Sequence, residues 1–521
     1  RTIVKIAITS SVVLLCSGFA LYSFFRLSAA EGQKDFNLYE LVPSTTSAVF
    51  VTDDVLEFVA EVDELTCSKN QQYLYVSKLF SYLKQSLYAL SEDTPHGLSR
   101  QMNQMLISFH EPDNERNQVL YCRLGNGDKE LVNRFVRKYI SSLYPPKTFI
   151  YKGEEIIIYP MADGDFLACY LTSDFMALSF QKKLIENVID AYKSGKSLAD
   201  DSTFTGIRAP KKSAAAATIY TRMQGMMGWT EFDMKMKDDF IYFSGITHDA
   251  DTCFAFINQL RQQQSVKGFP GEVLPSTAFY FSRQGITDWV SLLSYGNAQG
   301  QSVPARTSEV QNRDKEFSRY LMENAGQDLV ACLFQREDTL QDAAAVLSLS
   351  VADVTEAERM LRALVNAAPA DEGRRNPRIT FCYTVNKAYP IYRLPQTTLF
   401  EQLTSFAEPT LDVYAAFYGG RLLLAPDADA LAHYIRQLDK GEVLNGAMAY
   451  QTGMDHLSDS YHFMLMADFD HIFQQSENHV RFVPDFFLRN ADFFRHFTLF
   501  VQFACADGVV YPNIVLKYKS E

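Results

Sequence analysis

Ser179-Phe180-Gln181-Lys182 is the chain's nearest approach to a nucleophile motif. A serine three residues ahead of a lysine can form an acyl-enzyme with the amine as base, but that chemistry also uses a Lys-Thr-Gly partner. Here Lys147-Thr148 is followed by Phe149, so the pattern carries no catalysis. Gly125-Asn126-Gly127-Asp128 lacks the Lys-Ser/Thr of a phosphate loop and reads as a turn ahead of a helix. Neither a GxSxG elbow nor an HExxH zinc motif occurs.

Histidines are clustered. His456, His462, His471, His479 and His496 fall close together, with Asp468 and Asp470 among them. On a strand from Tyr461 to Asp470, His462, Asp468 and Asp470 share one face. Met464 and Met466 share it too, and thioethers do not suit a hard, carboxylate-bound ion. The expected outcome is a half-exposed strand with polar ends, no metal and no cofactor.

Arg481 to Phe503 is the densest aromatic stretch. It is the candidate partner-binding surface, through Phe482, Phe486, Phe487, Arg489, Phe493, Phe494 and Arg495. Phenylalanine and arginine are enriched where interfaces are buried. The competing account has the same phenylalanines closing a core, with the arginines solvated.

The elements that would position these residues occur twice. Leu41-Val42-Pro43-Ser44-Thr45 returns as Val273-Leu274-Pro275-Ser276-Thr277. Phe166 to Leu198 reads strand, turn at Ser173-Asp174, strand, helix, then Gly195 and Leu198. Asp412 to Leu444 reads the same way, with Gly419-Gly420 at the turn and Gly441 and Leu444 closing it. Further helices are expected over Gln71–Leu90, from an N-cap at Asp128 to Leu143, over Asp251–Gln263, and from Asp353 to Asn366. Hairpins are expected around Lys152-Gly153-Glu154, Asn386-Lys387 and Ala506-Asp507-Gly508, and over Trp229–Ile246. Gly300 to Asp314 reads as a mobile surface loop. Tight turns demand antiparallel pairing. The expected fold class is therefore α+β: an N-terminal transmembrane helix followed by two tandem related modules, each an antiparallel sheet with helices packed on one face. The boundaries are an anchor over 1–30, a tether over 31–40, module one over 41–263, a linker over 264–272 and module two over 273–521.

The chain has 521 residues, 47% of them hydrophobic, with 39 Phe and 28 Tyr, enough for well-packed cores in more than one domain. A net charge of −13 argues against nucleic-acid binding, which needs a basic face. Eight cysteines form no CxxC and sit mostly in apolar, strand-like contexts, where thiols act as small hydrophobes. Ile6 to Phe25 carries no charge and is bounded by Lys5 and Arg26, long enough to span a bilayer. Arg1 and Lys5 nearly balance Arg26 and Lys34, so orientation rests on the habit of single N-terminal anchors to export the large domain behind them.

The duplicated plan, the Val42-Pro43-Ser44 opening and the ending from Phe503 through Asn513-Ile514-Val515-Leu516-Lys517-Tyr518 resemble a family. That family is the membrane-anchored envelope proteins of the Bacteroidetes type, known only as a domain of unknown function. The resemblance implies placement outside the cytoplasm and supplies no catalytic residues. The expectation is a non-enzymatic protein of the inner membrane, held by Ile6–Phe25, with its large C-terminal part in the periplasm and binding a protein partner of the envelope. Two alternatives stand beside it: an envelope hydrolase working between the modules, with Asp163, Asp165, Asp200 or Asp201 as acids, or a lipid or small-molecule carrier.

Overall fold

The computed structural model describes residues 36–69, 102–110, 116–125, 128–135, 144–161, 164–207, 215–222, 228–247, 255–290, 292–293, 307–336, 343–367, 377–385, 387–395, 397–404, 412–475 and 483–519.

The first half of the chain, to Gln263, supplies β1 (Ala48–Thr52), β2 (Met105–Phe109), β3 (Gln118–Arg123), β4 (Lys147–Tyr151), β5 (Glu154–Pro160), β6 (Phe166–Leu171), β7 (Phe175–Ser179), β8 (Ala217–Thr221), β9 (Thr230–Lys237) and β10 (Phe240–Thr247). The second supplies β11 (Val266–Lys267), β12 (Ala278–Gly285), β13 (Ala325–Gln335), β14 (Ala343–Val351), β15 (Ile379–Tyr383), β16 (Ala388–Pro395), β17 (Asp412–Tyr418), β18 (Arg421–Ala425), β19 (Ser460–Tyr461), β20 (Phe463–Asp468), β21 (Phe497–Ala506) and β22 (Val509–Tyr518).

Twenty of these strands make one antiparallel sheet, and β11 pairs with β19 apart from it. From one edge, the pairings run β4, β5, β6, β7, β3, β2, β1, β8, β9, β10. They continue through β22, β21, β20, β12, β13, β14, β18, β17, β16 and β15. With each strand matched to its repeat, from β4 with β15 to β10 with β22, the order reads the same from either end. Its midpoint is the β10–β22 pairing, where Tyr242 faces Val515.

This corrects the expected fold class. The halves do not carry a sheet each, because β10 and β22 would leave two unpaired edges, and pairing them satisfies both. Helices also cover both faces. Helix α1 (Val55–Glu64) packs Phe58 and Val59 against Ile107 and Leu120, while α2 (Lys182–Ser194) packs Ile185 and Val188 against Val119 and Tyr121 on the opposite face. In the second half, α3 (Ser308–Asn324) and α4 (Val354–Ala367) cover one face and α5 (Ala428–Asp439) the other. Along β13, Leu329, Ala331 and Leu333 point to the first face, and Val330, Cys332 and Phe334 to the second. A strand buried on both sides reads as an unbroken apolar run, which hides its alternation. Among the described residues no helix is long and apolar enough to cross a membrane, and the expected helix over Ile6–Phe25 lies outside them.

The repeat is built from matching backbone bonds. Leu198 N–H donates to Val42 at 2.8 Å, and Leu444 N–H to Leu274 at 2.9 Å. Pro43 bridges Ser197 as Pro275 bridges Val443. Gly195 and Gly441, at φ 63° and 75°, turn the chain after α2 and α5 in a region where side chains are disfavoured.

The expected loop over Gly300–Asp314 is also corrected, since Ser308–Asp314 belongs to α3. Thr307 caps it, accepting from Val310 N–H at 3.3 Å. The expected helix Gln71–Leu90 lies outside the described residues, as does Asp128–Leu143 beyond Phe135.

Candidate functional site

The aromatic segment at the end of the chain packs across the junction of the halves. Phe494 is buried, and Phe487 and Phe493 are partly buried, in a cluster with Leu65 and Cys67 of the first half and Phe469, Phe497 and Tyr518 of the second. Ring centroids of Phe487 and Phe494 lie 4.8 Å apart, as do those of Phe493 and Phe494. Arg489 and Arg495 are exposed, and Arg495 Nε lies 4.0 Å from Asp470 Oδ1. Phe482 lies outside the described residues. Phe486 belongs to the short helix Asp485–Arg489. The segment therefore joins the halves, and its buried phenylalanines do not form a contiguous open surface.

Histidine chemistry disperses in the same way. His456 Nδ1 lies 3.3 Å from the Tyr242 hydroxyl, and His462 Nδ1 accepts from Cys505 N–H at 3.1 Å. His479 lies outside the described residues. Asp468 Oδ1 lies 2.6 Å from Lys519 Nζ and 3.3 Å from His471 Nδ1, and it caps the turn Phe469–Phe473. Burial raises the Asp468 carboxyl, but His471 and Lys519 outweigh burial and hold it below its ordinary range. The neighbouring Asp468 carboxylate raises His471 against the opposing effect of burial. Among the described residues no group of three His, Cys, Asp or Glu is placed to hold a metal. Ser179 is fully buried, and its hydroxyl donates to Gln118 O at 2.8 Å, a structural bond that leaves no nucleophile. Burial pushes the Cys122 and Cys169 thiols up to about 12, consistent with inert core residues.

The described carboxylates of the hydrolase alternative are engaged in pairing and in local turns. Asp165 pairs with Arg116 at 2.8 Å, Asp200 accepts from the Ser197 hydroxyl at 2.6 Å, and Asp201 from the Thr203 hydroxyl at 2.6 Å. Asp163 lies outside the described residues. A cavity of about 510 Å³ opens beside α1, between Asp53, Glu57 and Glu61 on one side and Met105, Arg123 and Tyr220 on another. Burial, then Glu57 and Glu64, raise the Glu61 carboxyl. Among the described residues the lining holds no histidine, serine or cysteine, and so no imidazole base beside a serine or thiol nucleophile.

Among the described residues the sheet ends at β4 on one side and β15 on the other. Neither β4 nor β15 has a described neighbour on its outer side. On β15 and the residues after it, Ile379, Phe381, Tyr383 and Val385 are 36%, 53%, 73% and 95% exposed. Cys382 between them is buried against α5. On β4, Ile150 is 67% exposed. These two edges correspond. Cys169 and Ala415 each stand four residues before the first glycine or serine of their turns, and they pair with Ile157 and Tyr392. Those in turn face Thr148 and Ile379, which sets Ile150 opposite Phe381 in the repeat. Sequence reasoning found the hairpin around Asn386-Lys387 but not its exposure. Alternation along Ile379, Phe381 and Tyr383 signals one apolar face without saying whether anything covers it.

No family model, curated protein or solved structure matches this chain.

Proposed function

We propose that this is a non-enzymatic binding protein that takes an extended segment of a protein partner onto the edges of its sheet. The observation that carries this reading is the pair of corresponding outer edges with exposed apolar residues, Ile150 on β4 and Phe381 on β15. An unpaired edge offers a row of N–H and C=O groups, and alternate side chains supply selectivity. The uncharged run Ile6–Phe25 and the resemblance to membrane-anchored envelope proteins support a setting at the inner membrane, facing the periplasm.

A photo-crosslinking residue placed at Tyr383 in cells tests this. A discrete adduct should form there and not at Met448, an exposed position on a helix. Equal labelling at both positions, or none at Tyr383, would reject strand capture.

A further inference from the structure

We propose that the occupant of the β15 edge is β15 of a second copy of this chain, paired antiparallel about a two-fold axis through Phe381. This rests on the strand-accepting reading and names the partner at one of the two edges.

Backbone direction comes first. Arg393 N–H donates to Arg378 O at 2.9 Å, and Thr384 N–H to Lys387 O at 3.0 Å. Bonded pairs alternate along an antiparallel ladder, so even-numbered residues of β15 bond to β16. Ile379, Phe381 and Tyr383 therefore turn their N–H and C=O groups outward. Pro390, which faces Phe381, has no N–H to donate, in keeping with that phase.

The outward groups are self-complementary. A two-fold axis at Phe381 sets Phe381 against Phe381 and Ile379 against the second copy's Tyr383. Each outward-facing residue then meets another, and the exposed apolar side chains meet across the seam. Arg378 falls opposite Thr384, so it meets no like charge. The β4 edge differs: Lys147 is exposed on it. Lysines of this kind discourage pairing between edges. The chain already contains such a seam, because β10 and β22 join its two repeats edge to edge.

Sedimentation equilibrium of the full chain in mild detergent tests the proposal. The unaltered chain should be a dimer. F381K and F381E should each be monomeric and still melt cooperatively, since position 381 is exposed, and mixing them should restore the dimer. Monomeric unaltered chain, dimeric F381K, or a mixture that stays monomeric would overturn the two-fold pairing at Phe381. If the unaltered chain is monomeric while Tyr383 still crosslinks to a different protein, only the second-copy inference falls. Absence of both would remove the strand-accepting reading as well.

Discussion

Asp468 is half-buried, and its neighbours hold its carboxyl below the ordinary range. Lys519 at 2.6 Å ties the end of β22 to the helical turn after β20, and His471 adds a second, titratable cation. His471 has a raised folded-state pKa, so its contribution is complete below its unfolded value and is lost as pH rises through the folded one. Asp468 is held low, so its contribution is present above its unfolded value and is lost as pH falls through the folded one. Thermal melts should therefore show stability declining as pH rises past the ordinary histidine range. H471Q should flatten that slope and also weaken the acid limb, because His471 helps hold Asp468 low, while Lys519 keeps part of it. An unchanged alkaline slope in H471Q would show that the His471 contact does not couple to folding.

At the scale of elements, α3 shows why a polar residue can be the anchor of a helix. Asp314 is buried and accepts from Thr397 Oγ1 at 2.7 Å, Thr398 N–H at 2.9 Å and Thr398 Oγ1 at 2.7 Å. It thereby pins α3 to the start of the helix Leu399–Leu403. D314A would leave these donors unsatisfied and should cost about 2–4 kcal/mol, as buried unpaired donors do. Chemical denaturation measures this, and a loss within error of zero would mean water replaces the carboxylate. The apolar stripe Val310, Phe317, Tyr320 and Leu321 was legible in principle. Asp314 in the middle of it, after a polar run, made the stretch read as a loop.

For the molecule as a whole, the seam matters most. Residues 1–263 and 264–521 produced as separate chains should co-purify as a one-to-one complex, and each alone should aggregate. Separation exposes the β10 and β22 edges and divides the aromatic cluster of Leu65, Phe494 and Tyr518. Two monodisperse, cooperatively folding halves would show that the seam is dispensable to either.

Much of the local structure was legible because short-range chemistry decides it. Hairpin turns such as Lys152-Gly153 and Asp507-Gly508 occupy positive φ, and Asp353 caps α4 by accepting from Glu356 N–H at 3.1 Å. The echo of Pro43-Ser44 in Pro275-Ser276 marked the repeat. Which face each residue takes was not legible. The phenylalanines near Phe494 have the same composition whether they meet a partner or the other half of their own chain. Ile379, Phe381 and Tyr383 alternate like any core-facing strand. Only the tertiary structure buries the first group and exposes the second, because burial depends on which distant strands pair, and here β10 pairs with β22 while nothing described pairs with the outer side of β15.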